Sequence, residues 1–439
     1  MSQAPGIRSA RIGWCLYDWA NSAYATTVMV ALLPRYFAEV VIPPGGVVIF
    51  GRPVAADALW GMAVGTATLL TFLLAPVLGA IADFTAAKKR FLLGFAWTGS
   101  LFTVLLWTCR GGDVTRTLGF FLLTQVCFIA ANVFYDAFLP HLAEGSEMDR
   151  LSARGYAWGY VGGGLQFALS LLLVTAHDRV GLSLAQAVRL GIVAAGIWWG
   201  GFTLFTARLL REPATALYLP ERYRGWPRAL ACVAVGISRT LATTRRVSRM
   251  RHLLIFLVAF MLYDDAIQTV ISMASIYGTV ELHLPTTDLM LTLLLVQVVA
   301  LVGALIFARL AGRIGARHAV MVTLVIWIGV VLYAYFIRTS AQFFVLGALA
   351  GLVMGGSQAL SRSLYGSMIP VDSSAEFYGF YTVFSKFSAI WGPFTFAAVK
   401  QVTGSSRLAI VSLVVLFIIG LALLSRVDEA KARAGAAAG

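Results

Sequence analysis

The chain has 439 residues, 59% of them hydrophobic and only 12% charged, with a mean hydropathy of +0.82. Ordinary soluble domains carry about 25% charged residues, so the composition excludes a soluble enzyme or binding module and marks an integral membrane protein. The net charge of +14 does not call for a nucleic acid, because the Lys and Arg sit in short loops between apolar runs and no RNA- or DNA-binding motif accompanies them.

Taken in order, the chain begins with a polar stretch, Met1 to Arg11, followed by an apolar span with no A-x-A cleavage site, which argues against a removable signal peptide. Apolar runs of about 20 residues, each enough for one helical crossing, then recur twelve times. They fall at 13–38, 58–82, 91–109, 117–141, 155–176, 187–210, 252–278, 287–310, 319–337, 341–366, 376–400 and 406–425. Six precede a long basic stretch and six follow it. With the N-terminus inside, 23 of the Lys and Arg fall on one side and 8 on the other, while Arg35, Arg362 and Lys386 lie within spans. The positive-inside rule therefore places both termini in the cytoplasm. The expected organisation is a first six-helix bundle over 1–211, a basic linker over 212–250, a second bundle over 251–425 and a cytoplasmic tail over 426–439.

Within the linker, Pro213, Pro220 and Pro227 mark the first part as irregular. From Arg228 to Met250, Leu230, Val233, Ile237 and Leu241 recur at helical spacing while Arg239, Arg245, Arg246 and Arg249 lie elsewhere. That is the pattern of a basic helix lying on the membrane surface; a solvated charged connector is the alternative. The Ala/Gly-rich tail after Arg426 reads as disordered. The longest outside loop runs from Val40 to Asp57 and contains Pro43-Pro44-Gly45-Gly46.

Cys15, Cys109, Cys127 and Cys232 show no C-x-x-C spacing, and His141, His177, His252, His283 and His318 are scattered. Neither a disulfide framework nor a metal site is indicated, no cofactor is expected, and no nucleophile motif points to an enzyme. Gly162-Gly163-Gly164 and Gly355-Gly356 suit close helix packing better than phosphate binding, since no Gly-rich loop with a following Lys and Ser/Thr occurs.

The informative residues are polar ones inside the spans. Leu262-Tyr263-Asp264-Asp265-Ala266-Ile267-Gln268 places two acids and an amide near the middle of span seven. An acid there costs ~2.5–3.5 kcal/mol on insertion scales, so an ionisable group at that depth is a functional-site candidate. Leu16-Tyr17-Asp18 opens the first span as Leu262-Tyr263-Asp264 sits in the seventh, suggesting an internal repeat. Lys386, in span eleven, lies at a depth similar to Asp264 and Asp265. Adjacent helix residues point about 100° apart, so only one acid can face a cavity squarely while the other faces a neighbouring helix. Two acids with one base are suited to proton coupling, with Asp264, Asp265 and Lys386 as the carriers, although a static ion pair would use the same residues. The candidate solute contacts are Asn21, Tyr24, Asp136, Gln166, Asp264, Gln268, Gln297, Gln358 and Lys386; for the three glutamines Gln166, Gln297 and Gln358, interhelical bonding is the alternative. Asp18, near the start of span one, fits a helix-start role as well as a solute role. Asp136 and Arg362 occupy comparable places near the inner ends of spans four and ten and could pair across the two halves, although snorkelling also accounts for Arg362.

Six plus six helices around a basic central loop resemble the major facilitator superfamily. Gly79-Ala80-Ile81-Ala82-Asp83-Phe84-Thr85-Ala86-Ala87-Lys88-Lys89-Arg90 resembles its loop motif, in which an acid and a basic cluster form a cytoplasmic latch; here these are Asp83, Lys88, Lys89 and Arg90. The second-half copy, Ala308 to Arg317, has Gly312 where the acid would stand. More narrowly, Tyr17-Asp18-Trp19-Ala20-Asn21-Ser22-Ala23-Tyr24, Phe134-Tyr135-Asp136-Ala137-Phe138-Leu139-Pro140, Gly155-Tyr156-Ala157-Trp158-Gly159-Tyr160, Ser361-Arg362-Ser363-Leu364-Tyr365 and Glu376-Phe377-Tyr378-Gly379-Phe380-Tyr381, with Lys386-Phe387-Ser388 and Gly392-Pro393 following, are similar to the vacuole-effluxer family, the amino-acid effluxers of fungal vacuoles and their bacterial relatives. That resemblance implies an all-α membrane protein of the major facilitator fold that moves a solute by alternating access. It departs from the family at Asp136 and Asp264, where members tend to carry Asn, and this suits a cationic solute or an added proton site. It also lacks a glycine near Ala86 and Ala87, which would loosen the turn. The expected protein is a monomeric, proton-coupled transporter of an amino acid or amine in the bacterial inner membrane, in contact with lipid. Export of lipids or amphipathic drugs, and a transporter-like sensor or scaffold, are the alternatives.

Overall fold

The computed structural model describes residues 5–43, 46–49, 52–213 and 225–437. Almost all of it is helix. The first half holds α1 (Pro5–Ala23), α2 (Ala56–Thr85), α3 (Lys88–Leu105), α4 (Val114–Ala137), α5 (Gly145–Thr175) and α6 (Leu184–Leu209). After α7 (Arg228–Arg249), the second half holds α8 (Arg251–Val280), α9 (Thr286–Ile314), α10 (Ala316–Phe336), α11 (Ser340–Ser367), α12 (Ser374–Thr403), α13 (Ser406–Ser412), α14 (Val414–Leu424) and α15 (Glu429–Ala437).

Among the described residues, ten helices are long and apolar enough to cross a membrane, against twelve spans read from the sequence. The other two expected spans fall on the run that starts with α1 and on α12. In the first, α1 carries Arg8, Arg11 and Asp18, and the apolar part continues as π-helix over Tyr24–Leu32 and again over Phe37–Val41. Pro34 lies between the two widened segments; it has no amide to give the carbonyl four residues back, so regular α winding is interrupted there.

The expected outer loop contains a small hairpin, β1 (Val47–Ile49) paired antiparallel with β2 (Arg52–Val54) in the register Val47 to Val54. Pro53 is tolerated because both strands are edges. The tail departs from the disordered reading. Asp428 Oδ1 accepts from the Lys431 amide at 3.1 Å and caps α15, the alanines after it favour helix, and Arg317 donates its backbone N–H to Glu429 at 3.3 Å and a guanidinium N–H to the Val427 carbonyl. The Lys431 amide holds the Asp428 carboxyl below the usual carboxylate range. The predicted basic helix is α7; residues 214–224 of the linker lie outside the described residues.

The chain divides into two compact units. The first comprises 1–75, 87–135 and 158–214; the second comprises 76–86, 136–157 and 215–439, and so combines the ends of α2, α4 and α5 with the second half of the chain. Small residues set the closest packing in each. In the second unit a Cβ on Gly355 would lie 2.2 Å from the Ala300 carbonyl oxygen and one on Gly351 2.9 Å from that of Val296, so α9 and α11 approach backbone to backbone along a four-residue repeat. In the first, a Cβ on Gly162 would lie 2.4 Å from the Trp19 carbonyl oxygen. Both glycine runs serve close packing.

The turn between α2 and α3 places Ala86 at φ +47°, the left-handed region that disfavours a Cβ by roughly 1–2 kcal/mol. This is where the expected glycine is missing. Ala86→Gly will therefore stabilise the protein by about 1 kcal/mol, after the extra freedom glycine has in the unfolded chain is subtracted. Thermal unfolding of the purified variant checks this, and a lower Tm would contradict it.

Candidate functional site

Three groups of polar residues emerge, one in the first unit and two in the second. In the first unit, the face of α1 and its π-helical extension meets α4 and α5. Asn21 donates to Asn132 Oδ1 at 2.6 Å, the Tyr24 hydroxyl donates to Gln125 Oε1 at 2.9 Å, and Thr27 donates to Gln166, whose Nε2 donates to Ser170 Oγ at 2.9 Å. The predicted Asn21, Tyr24 and Gln166 thus form one buried ladder, each bonded to another side chain. Asp18 is also buried, accepting from the Tyr135 hydroxyl at 2.9 Å. Asn132, Gln125 and Thr27 were not singled out from the sequence. Their signal was available, as polar residues flanked by apolar ones inside a span.

In the second unit, α8 presents Asp264 and Asp265 to different surroundings, as their 100° offset requires. Asp264 Oδ2 accepts from the Ser385 hydroxyl of α12 at 3.0 Å, and Oδ1 accepts from Gln268 one turn along at 3.4 Å. Lys386 follows Ser385 on α12 and is half-buried. Asp265, only 1% exposed, lies instead where α8 and α12 touch. A Cβ on Gly392 would come within 2.9 Å of its Oδ1 and 2.0 Å of Thr269 Oγ1. Neither carboxylate oxygen of Asp265 has a hydrogen-bond partner among the described residues, nor does the Thr269 hydroxyl. Pro393 follows in α12 and can supply no amide. Gln297 on α9 is buried and Gln358 on α11 half-buried.

Below the acids lies a tyrosine cluster to which the sequence reading assigned no role. Tyr381 stacks on Phe260 with ring centroids 4.3 Å apart and on Tyr365 at 4.8 Å, and the Tyr263 hydroxyl bonds to Ser361 Oγ at 2.7 Å. The third group lies on the same two helices, α11 and α12.

That group joins the ends of α2, α4 and α5 to α11 and α12 within the second unit. Arg362, 3% exposed, donates Nη1 to Asp136 Oδ1 at 3.1 Å, Nη2 to the Ser152 carbonyl at 2.9 Å and Nε to Ser152 Oγ at 3.0 Å, and its guanidinium lies 4.2 Å from the Tyr156 ring centre. Ser152 donates on to the Ala359 carbonyl at 2.6 Å, and Ser363 donates to Asp149 at 2.6 Å. Asp136 is therefore held in an ion pair. Asp83, 4% exposed, accepts from the backbone amides of Ala375 at 3.3 Å and Glu376 at 2.8 Å, so its carboxylate caps the N-terminus of α12, where the helix dipole favours negative charge. Gly79 lies one turn earlier because a Cβ there would meet the Ala375 carbonyl oxygen at 2.3 Å. Glu376 pairs with Arg239 of α7 at 3.7 Å. Lys88, Lys89 and Arg90 belong to the first unit and open α3, where the Lys89 amide donates to Glu212 Oε2 at 2.8 Å. Burial pushes the Glu212 carboxyl up, and the backbone amides at this helix start act against that.

Over 96% of its length the chain superposes on the human organic anion transporter MFSD10 (TETRAN), with a TM-score of 0.68, 15% sequence identity and 100% of that chain covered; this likeness shows the fold. The family and the bacterial relative that the chain matches are of the major facilitator transporter type, and this chain is a transporter of that class and not an enzyme. The chain belongs to the family described as vacuole effluxer Atg22 like, whose model matches residues 7–437. It is 33% identical over 418 residues to the uncharacterized MFS-type transporter YxiO of Bacillus subtilis, covering 95% of this chain and 94% of that one. It is 29% identical over 317 residues to autophagy-related protein 22-2 of Emericella nidulans, covering 66% of this chain and 53% of that one, so it spans about half the length of this fungal relative.

Proposed function

We propose that this transporter moves an amino acid or a related amine by proton-coupled alternating access, in the plasma membrane of a bacterium with both termini in the cytoplasm. In this reading a monomer rocks two bundles, 1–211 and 251–425, joined by the 212–250 linker, with residues 426–439 on the cytoplasmic side. Asp264 and Lys386 contact solute and carry protons together with Asp265, and Asn21, Tyr24, Gln166, Gln268, Gln297 and Gln358 supply further polar contacts. Asp83 with Lys88, Lys89 and Arg90, and the Asp136–Arg362 pair, latch the cytoplasmic ends. The observation that carries the reading is the Asp264–Ser385–Lys386 grouping beside the unpartnered Asp265: a buried acid with a base and hydroxyl next to it can hold an ammonium group, and a second acid can take the proton. The resemblance to amino-acid effluxers supports the solute class.

Thermal unfolding of the purified protein against neutral and cationic amino acids, polyamines, peptides and lipids tests this, since a ligand of the folded state stabilises it by mass action. Amino acids or amines are expected to raise Tm by several degrees, more so as pH rises and the carboxylates ionise. Stabilisation by lipids or amphipaths alone would overturn the polar-solute reading.

A further inference from the structure

The second unit contains a cleft of about 670 Å3 between the end of α7, the start of α8 and the tail helix α15. Among the described residues its lining includes Arg245, Arg246, Arg249, Arg251, His252 and Lys431, and no acidic residue. Asp428 stands beside it and pairs with Lys431 at 3.4 Å, which leaves four arginines facing a shared space without an acid in its wall. Four like charges brought together repel one another unless an anion enters.

Three details of the cleft suit an anion. Arg246 is anchored, with Nη2 donating to the Ala436 carbonyl at 3.3 Å and its guanidinium 5.8 Å from the Phe377 ring centre, yet its buried Nε has no hydrogen-bond partner. The N-terminus of α8 opens beside it; its N-cap is Met250, which offers no side-chain acceptor, and its first turn holds no acid. His252 accepts the Asp428 amide on Nδ1 at 3.2 Å, so in its neutral form it presents an N–H from the other nitrogen.

The cleft also continues a second feature of α7. One face of this helix is buried through Ala231, Val235, Thr243 and Val247, with Gly236 against Ile81 of α2. A different face leaves Leu230, Val233, Ile237 and Leu241 exposed in line, with Trp226 just before the helix. Large apolar side chains exposed at helical spacing, on a helix whose other exposed residues include Arg245 and Arg249, suit the boundary between headgroups and acyl chains. A phosphate at headgroup level would lie beside that stripe, and basic pockets at such positions complement phosphoryl headgroups.

We propose that this cleft binds the phosphoryl group of an anionic lipid, with Arg245, Arg246 and Arg249 as its principal donors and the apolar stripe of α7 lying against the acyl chains. The proposal is independent of the solute and of proton coupling.

The test is thermal unfolding of the full chain in neutral detergent with added phosphatidylglycerol, phosphatidylcholine or inorganic pyrophosphate. Three proteins are compared: wild type, Arg245→Gln/Arg249→Gln and Arg245→Lys/Arg249→Lys. Both positions are exposed, so the variants should fold. Phosphatidylglycerol is expected to raise the wild-type Tm by about 5 °C and phosphatidylcholine to leave it unchanged. The Gln variant should start from the wild-type Tm and lose most of that rise, and the Lys variant should keep about half, since a point charge replaces a planar fork. An equal rise in the Gln variant would place the lipid elsewhere. A rise with pyrophosphate but none with phosphatidylglycerol would assign the cleft to a soluble anion, and either result overturns the proposal.

Discussion

Arg362→Met is expected to reduce transport at least ~100-fold and to lower Tm, because it removes the centre of the cluster at the basic end of the bundle. The substitution leaves Asp136 charged and facing vacated space, takes two donors from Ser152 and removes the cation from above Tyr156. Removing one partner of a buried pair costs about 3–5 kcal/mol, more than the pair itself contributes, because the remaining charge stays desolvated. If the cluster forms only when the cytoplasmic side is closed, a loss of about 3 kcal/mol shifts that equilibrium more than 100-fold toward the other state. Asp136→Asn is the matched control: it keeps an oxygen for Nη1 and matches the residue typical of the effluxer family, so transport should stay within about threefold of wild type. Flux and unfolding of both variants in proteoliposomes check this. Wild-type flux in Arg362→Met would show that the cluster is structural decoration with no part in the cycle.

The two acids of α8 should respond differently to neutralisation. Asp264→Asn and Asp265→Asn are each expected to abolish gradient-driven accumulation while leaving a folded protein. Their stabilities should diverge. Asp265 is buried with no partner for either oxygen, so removing its charge relieves a desolvation cost and should raise Tm by the equivalent of about 1–3 kcal/mol. Asp264 accepts from Ser385 and Gln268; its amide replacement keeps one acceptor and should leave Tm within about 1 kcal/mol of wild type. Solute exchange without a pH gradient, measured beside accumulation, separates lost coupling from lost binding. Normal accumulation in both variants would sink the proton-carrier role of the pair.

What the sequence determined by itself was whatever the bilayer imposes locally. Span length and hydropathy are one-dimensional properties, set by the thickness of the hydrocarbon and the need for every backbone group to be bonded within its own segment. The long apolar helices, the amphipathic α7 and the family followed from them and from short motifs. Polar residues in apolar spans were visible for the same reason: Asp264, Asp265, Asn21 and Gln166 stand out because their burial is costly. Local reading failed where local propensity was not enough, as in the tail, which composition marks as disordered but which Arg317 and the Asp428 cap hold as helix.

The tertiary structure alone decided the partners. Asp83 and Glu376 are nearly 300 residues apart, and Asp136 and Arg362 more than 200; nothing near Asp83 in the chain says that its carboxylate caps α12, while matching depth in spans four and ten offered the Asp136–Arg362 pair beside snorkelling and the structure decided for the pair. The same holds for Asp264 and Asp265, adjacent in sequence and alike in composition, yet one bonded to Ser385 and the other against Gly392. Hydropathy records that a group is buried, whereas the direction in which it points depends on helix rotation and on which small residue lets a neighbouring backbone approach.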